Sequence, residues 1–99
     1  MIQESNQQEL AALISKGSFL VDFSTSSCGP CRALLPVLKR LADEGINVVT
    51  IDAESNRELS DRLDVRAFPT VIAFRDGREI KRLVGLTSRE KLLALLATQ

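Results

Sequence analysis

The sequence predicts an α/β fold: a mixed central sheet of four main strands, with room for an N-terminal stub strand, flanked by four helices. Three observations carry that reading. The apolar run at 19–23 precedes Leu34, Leu35, Leu38, Leu41 and Ala42 at helical spacing, and a second apolar run follows at 46–51. Such a strand–helix–strand unit requires parallel strands and a right-handed crossover. Asp76-Gly77, set between two later apolar runs, suits a type I′ turn and therefore requires an antiparallel pair. Finally, three segments of capping-box type open helices elsewhere. With 99 residues and 44% apolar content, residues 1–99 are expected to form one domain around an unstapled core.

Taken in order, Met1 and Ile2 leave room only for a stub of strand. Ser5-Asn6-Gln7-Gln8 reads as a capping box with Ser5 as N-cap, opening a helix whose stripe is Leu10, Leu13 and Ile14 and whose stop is Gly17. The run 19–23 is apolar on both faces apart from Asp22, as expected of a central strand covered on both sides. The next helix should run over 28–44, with Gly45 just beyond it. Pro36 removes one i to i−4 hydrogen bond inside it and is expected to bend rather than end it. After the strand at 46–51, Ser55-Asn56-Arg57-Glu58 opens a short helix with Leu59 and Leu63 on one face. Strands at 70–74 and 79–84 flank the Asp-Gly turn, and the second stops at Gly85. Thr87-Ser88-Arg89-Glu90 opens the last helix, expected to bury Leu92, Leu93 and Leu96. No linker, repeat or low-complexity segment interrupts the series.

Composition excludes several classes of function. Thirteen basic residues balance thirteen acidic ones, giving no electrostatic reason to expect nucleic acid or an anionic membrane as a partner. Histidine is absent, which removes Cys–His and Ser–His catalytic pairs. Residues 1–10 lack the charged and apolar regions of a signal peptide, and no apolar run approaches the ~20 residues of a membrane span. Two cysteines separated by two residues are not a secreted disulfide framework, so a reducing cytoplasm is the expected compartment.

Those cysteines, Cys28 and Cys31, follow the first main strand and start the long helix. A sulfur at a helix N-terminus meets unpaired N–H groups and the positive end of the macrodipole, which favour thiolate over thiol. Thiolates attack disulfides, so the arrangement points to thiol–disulfide exchange. The competing readings are two buried small hydrophobes, or half of a zinc site for which the sequence holds no further cysteine or histidine. Asp22, in an apolar strand, should be desolvated and its pKa raised. Such a carboxyl can take a proton from Cys31. The plainer reading is a strand-end aspartate capping a neighbouring loop. Pro69, on sequence alone, reads as a trans proline opening a strand.

Cys28-Gly29-Pro30-Cys31 in this order of elements resembles the thioredoxin family. Val21-Asp22-Phe23, Pro36, Phe68-Pro69-Thr70, Arg75-Asp76-Gly77 and Val84-Gly85 extend the resemblance over almost the whole chain. The resemblance implies a thioredoxin fold and a protein-disulfide reductase cycling between Cys28–Cys31 dithiol and disulfide without a bound cofactor or metal. Cys28 would be the nucleophile, Cys31 the resolving thiol and Asp22 its proton acceptor. Gly29, Pro30, Phe68, a cis Pro69 and Gly85 would form the substrate-binding surface. Its partners would be disulfide-containing clients and an upstream reductase, of the thioredoxin reductase type, acting on a monomer. The alternatives are a disulfide oxidase or isomerase of the same fold, and a binding or chaperone-like module with incidental cysteines.

The chain departs from the family pattern where tryptophans usually stand, at Ser24 and Ser27, and where a lysine usually neighbours the buried aspartate, at Val48. Losing one large aromatic from a docking face is worth on the order of 2 kcal/mol, or more than about ten-fold in affinity. Without the lysine, less opposes the desolvation of Asp22, whose carboxyl should be harder to ionise. Arg32 reads as a solvated surface charge. Arg66 and Phe68 read either as borders of the docking surface or as an ordinary exposed arginine and a core phenylalanine.

Overall fold

The structure, a computed structural model, describes residues 1–98. Five strands form one sheet in the order β1-β3-β2-β4-β5, comprising β1 (Gln3–Ser5), β2 (Ser18–Ser24), β3 (Val48–Asp52), β4 (Thr70–Arg75) and β5 (Arg78–Val84). β1 and β2 both pair parallel with β3, whereas β4 pairs antiparallel with β2 and β5. The crossover from β2 to β3 and the Asp76-Gly77 hairpin thus impose the mixed sheet expected of them. Asp76 and Gly77 take φ of 51° and 82°, the left-handed dihedrals that a type I′ turn needs.

The helices are α1 (Leu10–Leu13), α2 (Gly29–Asp43), α3 (Arg57–Arg62) and α4 (Arg89–Ala97), with a single 3₁₀ turn at Ala53–Ser55. Alternation along β2 divides the core. Val21 and Phe23 pack with Leu10 and Ile14 from the α1 segment and Leu59 of α3. Leu20 packs on the opposite face with Leu34, Leu38 and Leu41 of α2 and with Leu92 and Leu95 of α4. By the two-residue period of a strand, Asp22 shares the face of Leu20, beneath α2.

The helix starts lie later than the capping boxes place them, by one residue at α3 and α4 and by more at α1, whose N-cap is Glu9. Ser5 ends β1, where pairing with Ile51 claims its backbone, and Asn6 Oδ1 accepts the N–H groups of Gln8 and Glu9 instead. Asn56 is the cap residue of α3, while Ser55 belongs to the 3₁₀ turn and donates its hydroxyl to Asp52 Oδ2. Ser88 rather than Thr87 caps α4, accepting the N–H of Lys91. The stub strand falls at Gln3–Ser5, beyond Met1 and Ile2, and Ile2 packs against the α2/α4 core instead.

Two core assignments also change. Leu35 is exposed, because the buried face of α2 is made by Cys31, Leu34, Leu38, Leu41 and Ala42. In α4, Leu92 and Leu95 are buried, whereas Leu93 and Leu96 reach the core only partly. Pro36 sits within a continuous α2, as expected from the periodicity on either side.

The contrast between Leu38 and Leu35 is measurable. Leu38→Ala should lower unfolding free energy in urea by about 2–5 kcal/mol, whereas Leu35→Ala should cost less than about 1 kcal/mol. Equal losses would mean that α2 presents a different face to the sheet.

Candidate active site

β2 ends at Ser24, the chain turns through residues 25–27, and α2 begins at Gly29 with Cys28 as its N-cap. Cys28 has extended backbone dihedrals, and its Sγ accepts the backbone N–H of Cys31 at 3.1 Å. A cysteine thus takes the place usually filled by a serine or aspartate oxygen, satisfying an otherwise orphaned helical donor. The same donor stabilises negative charge on that sulfur. Pro30 sits in the first turn of the helix, where its missing N–H costs nothing. Cys28 and Cys31 are joined as a disulfide, their Cα atoms 5.2 Å apart. Cys31 is buried at 7% exposure; Cys28 is half-buried, with exposed Gly29 and Pro30 beside it.

A second element closes on the sulfur from the far side. Phe68–Pro69 is a cis peptide bond, and Phe68 O lies 3.6 Å from Cys28 Sγ. Gly85 N–H donates to Pro69 O at 2.8 Å, bringing the end of β5 to the same place. Gly85 has φ +94°, a conformation that side chains rarely adopt. The residues singled out in sequence therefore converge: Cys28, Gly29, Pro30 and Cys31 from the helix start, Phe68 and Pro69 from the segment before β4, and Gly85 after β5. The side chain of Phe68 packs on the α1/α3 core, so what it presents at the sulfur is its carbonyl.

Asp22 lies in the middle of β2, paired with Thr50 and Val71 on the two neighbouring strands. It is 4% exposed and its Oδ1 has no hydrogen-bond partner. Burial raises its pKa from 3.8 to about 7, since desolvation penalises the charged form. Val48 is buried in the apolar layer on the same face, so it supplies nothing to oppose that desolvation.

Sequence reasoning missed two parts of the site. Val84 and Leu86, on either side of Gly85, are 60% and 57% exposed, an apolar rim beside the cis-proline segment. Isolated exposed apolar residues leave no sequence signal, because each also fits a core. Arg32 is an exposed charge, as read, and it also donates from Nη1 to Ser26 O at 3.2 Å, while Glu54 holds Ser26 from the other side. Arg66 is exposed and pairs with Asp64 at 2.7 Å, so it is a surface charge. Among the described residues no cluster of side chains is arranged to hold a metal ion.

A helix-capping cysteine, its disulfide partner one turn inward and the carbonyl of Phe68, just before the cis proline, against the sulfur define a thiol–disulfide oxidoreductase site on a mixed α/β sheet. Comparison with known proteins agrees. A family model described as Thioredoxin matches residues 1–98. A thioredoxin of Chlamydia trachomatis is 36% identical over 99 residues, covering 98% of this chain and 97% of its own. One from Mycobacterium tuberculosis is 38% identical over 88 residues, covering 86% and 76%. Among solved structures, a mutant thioredoxin from Halobacterium salinarum superposes with a TM-score of 0.90 at 34% identity, over 96% of this chain and 87% of that one. The chain belongs to the thioredoxin family. Membership makes disulfides its substrates and a reductase its partner.

The raised pKa of Asp22 has a consequence for stability. An acid ionising at 3.8 when unfolded and about 7 when folded binds its proton more tightly in the native state. Native stability therefore falls as pH rises from about 4 to about 7 and levels off above it. At 1.36 kcal/mol per pH unit, the loss is bounded at about 4 kcal/mol. Asp22→Asn should remove that pH dependence and be the more stable protein at pH 8. Urea unfolding of both proteins across pH 4–8 checks this, and parallel curves would mean that the carboxyl ionises normally in the folded chain.

Proposed function

We propose that this chain is a protein-disulfide reductase in which Cys28 attacks, Cys31 resolves and Asp22 accepts the resolving proton. The observation that carries the reading is the hydrogen bond from Cys31 N–H to Cys28 Sγ, which prepares the outer sulfur for negative charge.

In the reduced protein, the Cys28 thiolate attacks one sulfur of a client disulfide. A bond forms between Cys28 and that sulfur, the client S–S bond breaks, and the departing client thiolate takes a proton from water. Cys31 then gives its proton to the Asp22 carboxylate, directly or through one water, and attacks Cys28 Sγ. The mixed disulfide breaks, the second client thiolate leaves, and the Cys28–Cys31 disulfide remains. Two electrons have passed to the client. A pKa near 7 suits Asp22 to this task, since it can both take a proton and release it near neutrality.

The substrate-binding surface is Gly29, Pro30, the backbone of Phe68 and Pro69, and Gly85. An extended client segment would lie along Phe68–Pro69, beside the sulfur it must approach. A reductase of the thioredoxin reductase type would return two electrons to the disulfide. The chain would act as a monomeric single domain in the cytoplasm; among the described residues no helix is long and apolar enough to cross a membrane.

Insulin reduction by dithiothreitol, followed as turbidity, tests the activity. The wild-type chain should accelerate precipitation, Cys28→Ser should abolish the acceleration, and Cys31→Ser should accumulate client on Cys28 as a mixed disulfide. Acceleration that survives loss of both cysteines would assign the effect to binding rather than exchange. Asp22→Asn should slow release from the mixed disulfide while leaving its formation within about two-fold of wild type. An unchanged release rate would remove Asp22 from the proton path.

A further inference from the structure

The turn that presents Cys28, residues 25–27, carries Thr25, Ser26 and Ser27. Ser26 and Ser27 are exposed and Thr25 only half-buried, so no large apolar side chain anchors the turn. Its conformation nevertheless sets where the sulfur stands, because Cys28 N–H closes the turn on Thr25 O at 3.4 Å. Every polar group of Ser26 is occupied. Its backbone N–H and its hydroxyl both donate to Glu54 Oε1, at 3.1 and 2.9 Å, and its carbonyl accepts from Arg32 Nη1 at 3.2 Å. Arg32 belongs to α2, with its own N–H donating to Cys28 O at 3.2 Å.

Glu54 is itself placed. Asp52 ends β3 and caps the 3₁₀ turn, its Oδ1 accepting Glu54 N–H at 3.0 Å and its Oδ2 the Ser55 hydroxyl at 3.1 Å. Asn56 Nδ2 donates to Asp52 O at 2.8 Å, tying the turn to the start of α3. The carboxylate of Glu54 is thus delivered to Ser26 from the sheet side while Arg32 holds the same residue from the helix side.

We propose that Glu54 is a positioning residue for Cys28: by holding Ser26 it sets the turn that keeps the sulfur on the Cys31 N–H. This inference rests on the reading of Cys28 as the nucleophile. Hydrogen bonds to an ionised acceptor are stronger than neutral ones, and two converge here on one oxygen. The net charge of Glu54 works against the thiolate, since a nearby carboxylate disfavours a second negative charge. Position and charge therefore act in opposite directions on Cys28, and substitution separates them. Glu54→Gln keeps a carbonyl acceptor and removes the charge; Glu54→Ala removes both. The other charged groups on the surrounding elements, Asp22, Arg32 and Asp52 together with Arg57 and Asp61, which line one cleft with Glu54, and Asp64 and Arg66 beyond them, are the same in all three proteins.

The experiment is iodoacetamide labelling of the reduced proteins as a function of pH, with urea unfolding alongside to show that each variant is folded. Glu54→Ala should shift the labelling midpoint upward and react about three- to ten-fold more slowly than wild type at neutral pH. Glu54→Gln should react within about two-fold of wild type or faster. Labelling of Glu54→Ala as fast as wild type or faster would overturn the proposal, since removal of the charge alone predicts that result. A role confined to stability would lower the urea midpoint and leave labelling of the folded protein unchanged, which also overturns it. Should the wild-type chain itself label no faster than an unstructured peptide thiol, the nucleophile reading fails and this one with it. A fast wild type with an unaffected Glu54→Ala defeats only the role of Glu54.

Discussion

A single hydrogen bond organises the chemistry of this chain: the start of α2 is capped by sulfur where another protein would use oxygen. The first turn of any helix has N–H groups without partners, and a cap satisfies one of them. Placing Cys28 there makes the structural requirement and the chemical one coincide. The donor that needs an acceptor is the donor that a thiolate needs. Everything around it serves to bring that helix start to the edge of a rigid sheet. β2 is central, covered on both faces, and delivers the chain to residue 25 with no freedom in direction. The cis-proline segment then closes on the sulfur from β4, and Gly85 holds that segment from β5.

The buried carboxyl is the counterpart of the half-buried sulfur of Cys28. Asp22 occupies a position where the alternation of β2 demands an apolar residue, and its Oδ1 finds no hydrogen-bond donor. A group so placed opposes stability at neutral pH, because the folded state must hold either an ionised carboxylate out of water or a proton that the unfolded chain would release. Valine at position 48 leaves that cost unrelieved. Burial in the layer directly under α2 brings this carboxyl close to neutrality, which is the property the proposed proton transfer uses.

The entry turn shows how a polar solution replaces an apolar one. Ser24, Thr25, Ser26 and Ser27 lead into α2, and a turn of small polar residues has no hydrophobic anchor. Hydrogen bonds from Glu54 and Arg32 converge on Ser26 instead. Exposed apolar area lies instead beside the cis-proline segment, on Val84 and Leu86. A client approaching Cys28 thus meets a polar edge on one side and an apolar one on the other.

Much of this was legible in the chain before any coordinates. The strand–helix–strand spacing, the Asp-Gly turn and the C-x-x-C at a junction are local patterns, and local patterns survive folding because backbone sterics and helix-end chemistry act over a few residues. The desolvation of Asp22 was legible for the same reason, from its apolar neighbours in sequence. The tertiary structure decided what depends on competition between partners. Ser55 and Thr87 each had an adjacent residue equally able to cap a helix, and the cap at Asp52 and the start of α4 settled which one did, while the pairing of β1 claimed Ser5. Leu35 could not be told from Leu34 until the sheet chose one face of α2. Nor could Glu54, twenty-eight residues from Ser26, be tied to the active-site turn by any pattern. Their contact exists only because β2 and β3 lie side by side, and a contact made by strand pairing carries no short-range imprint.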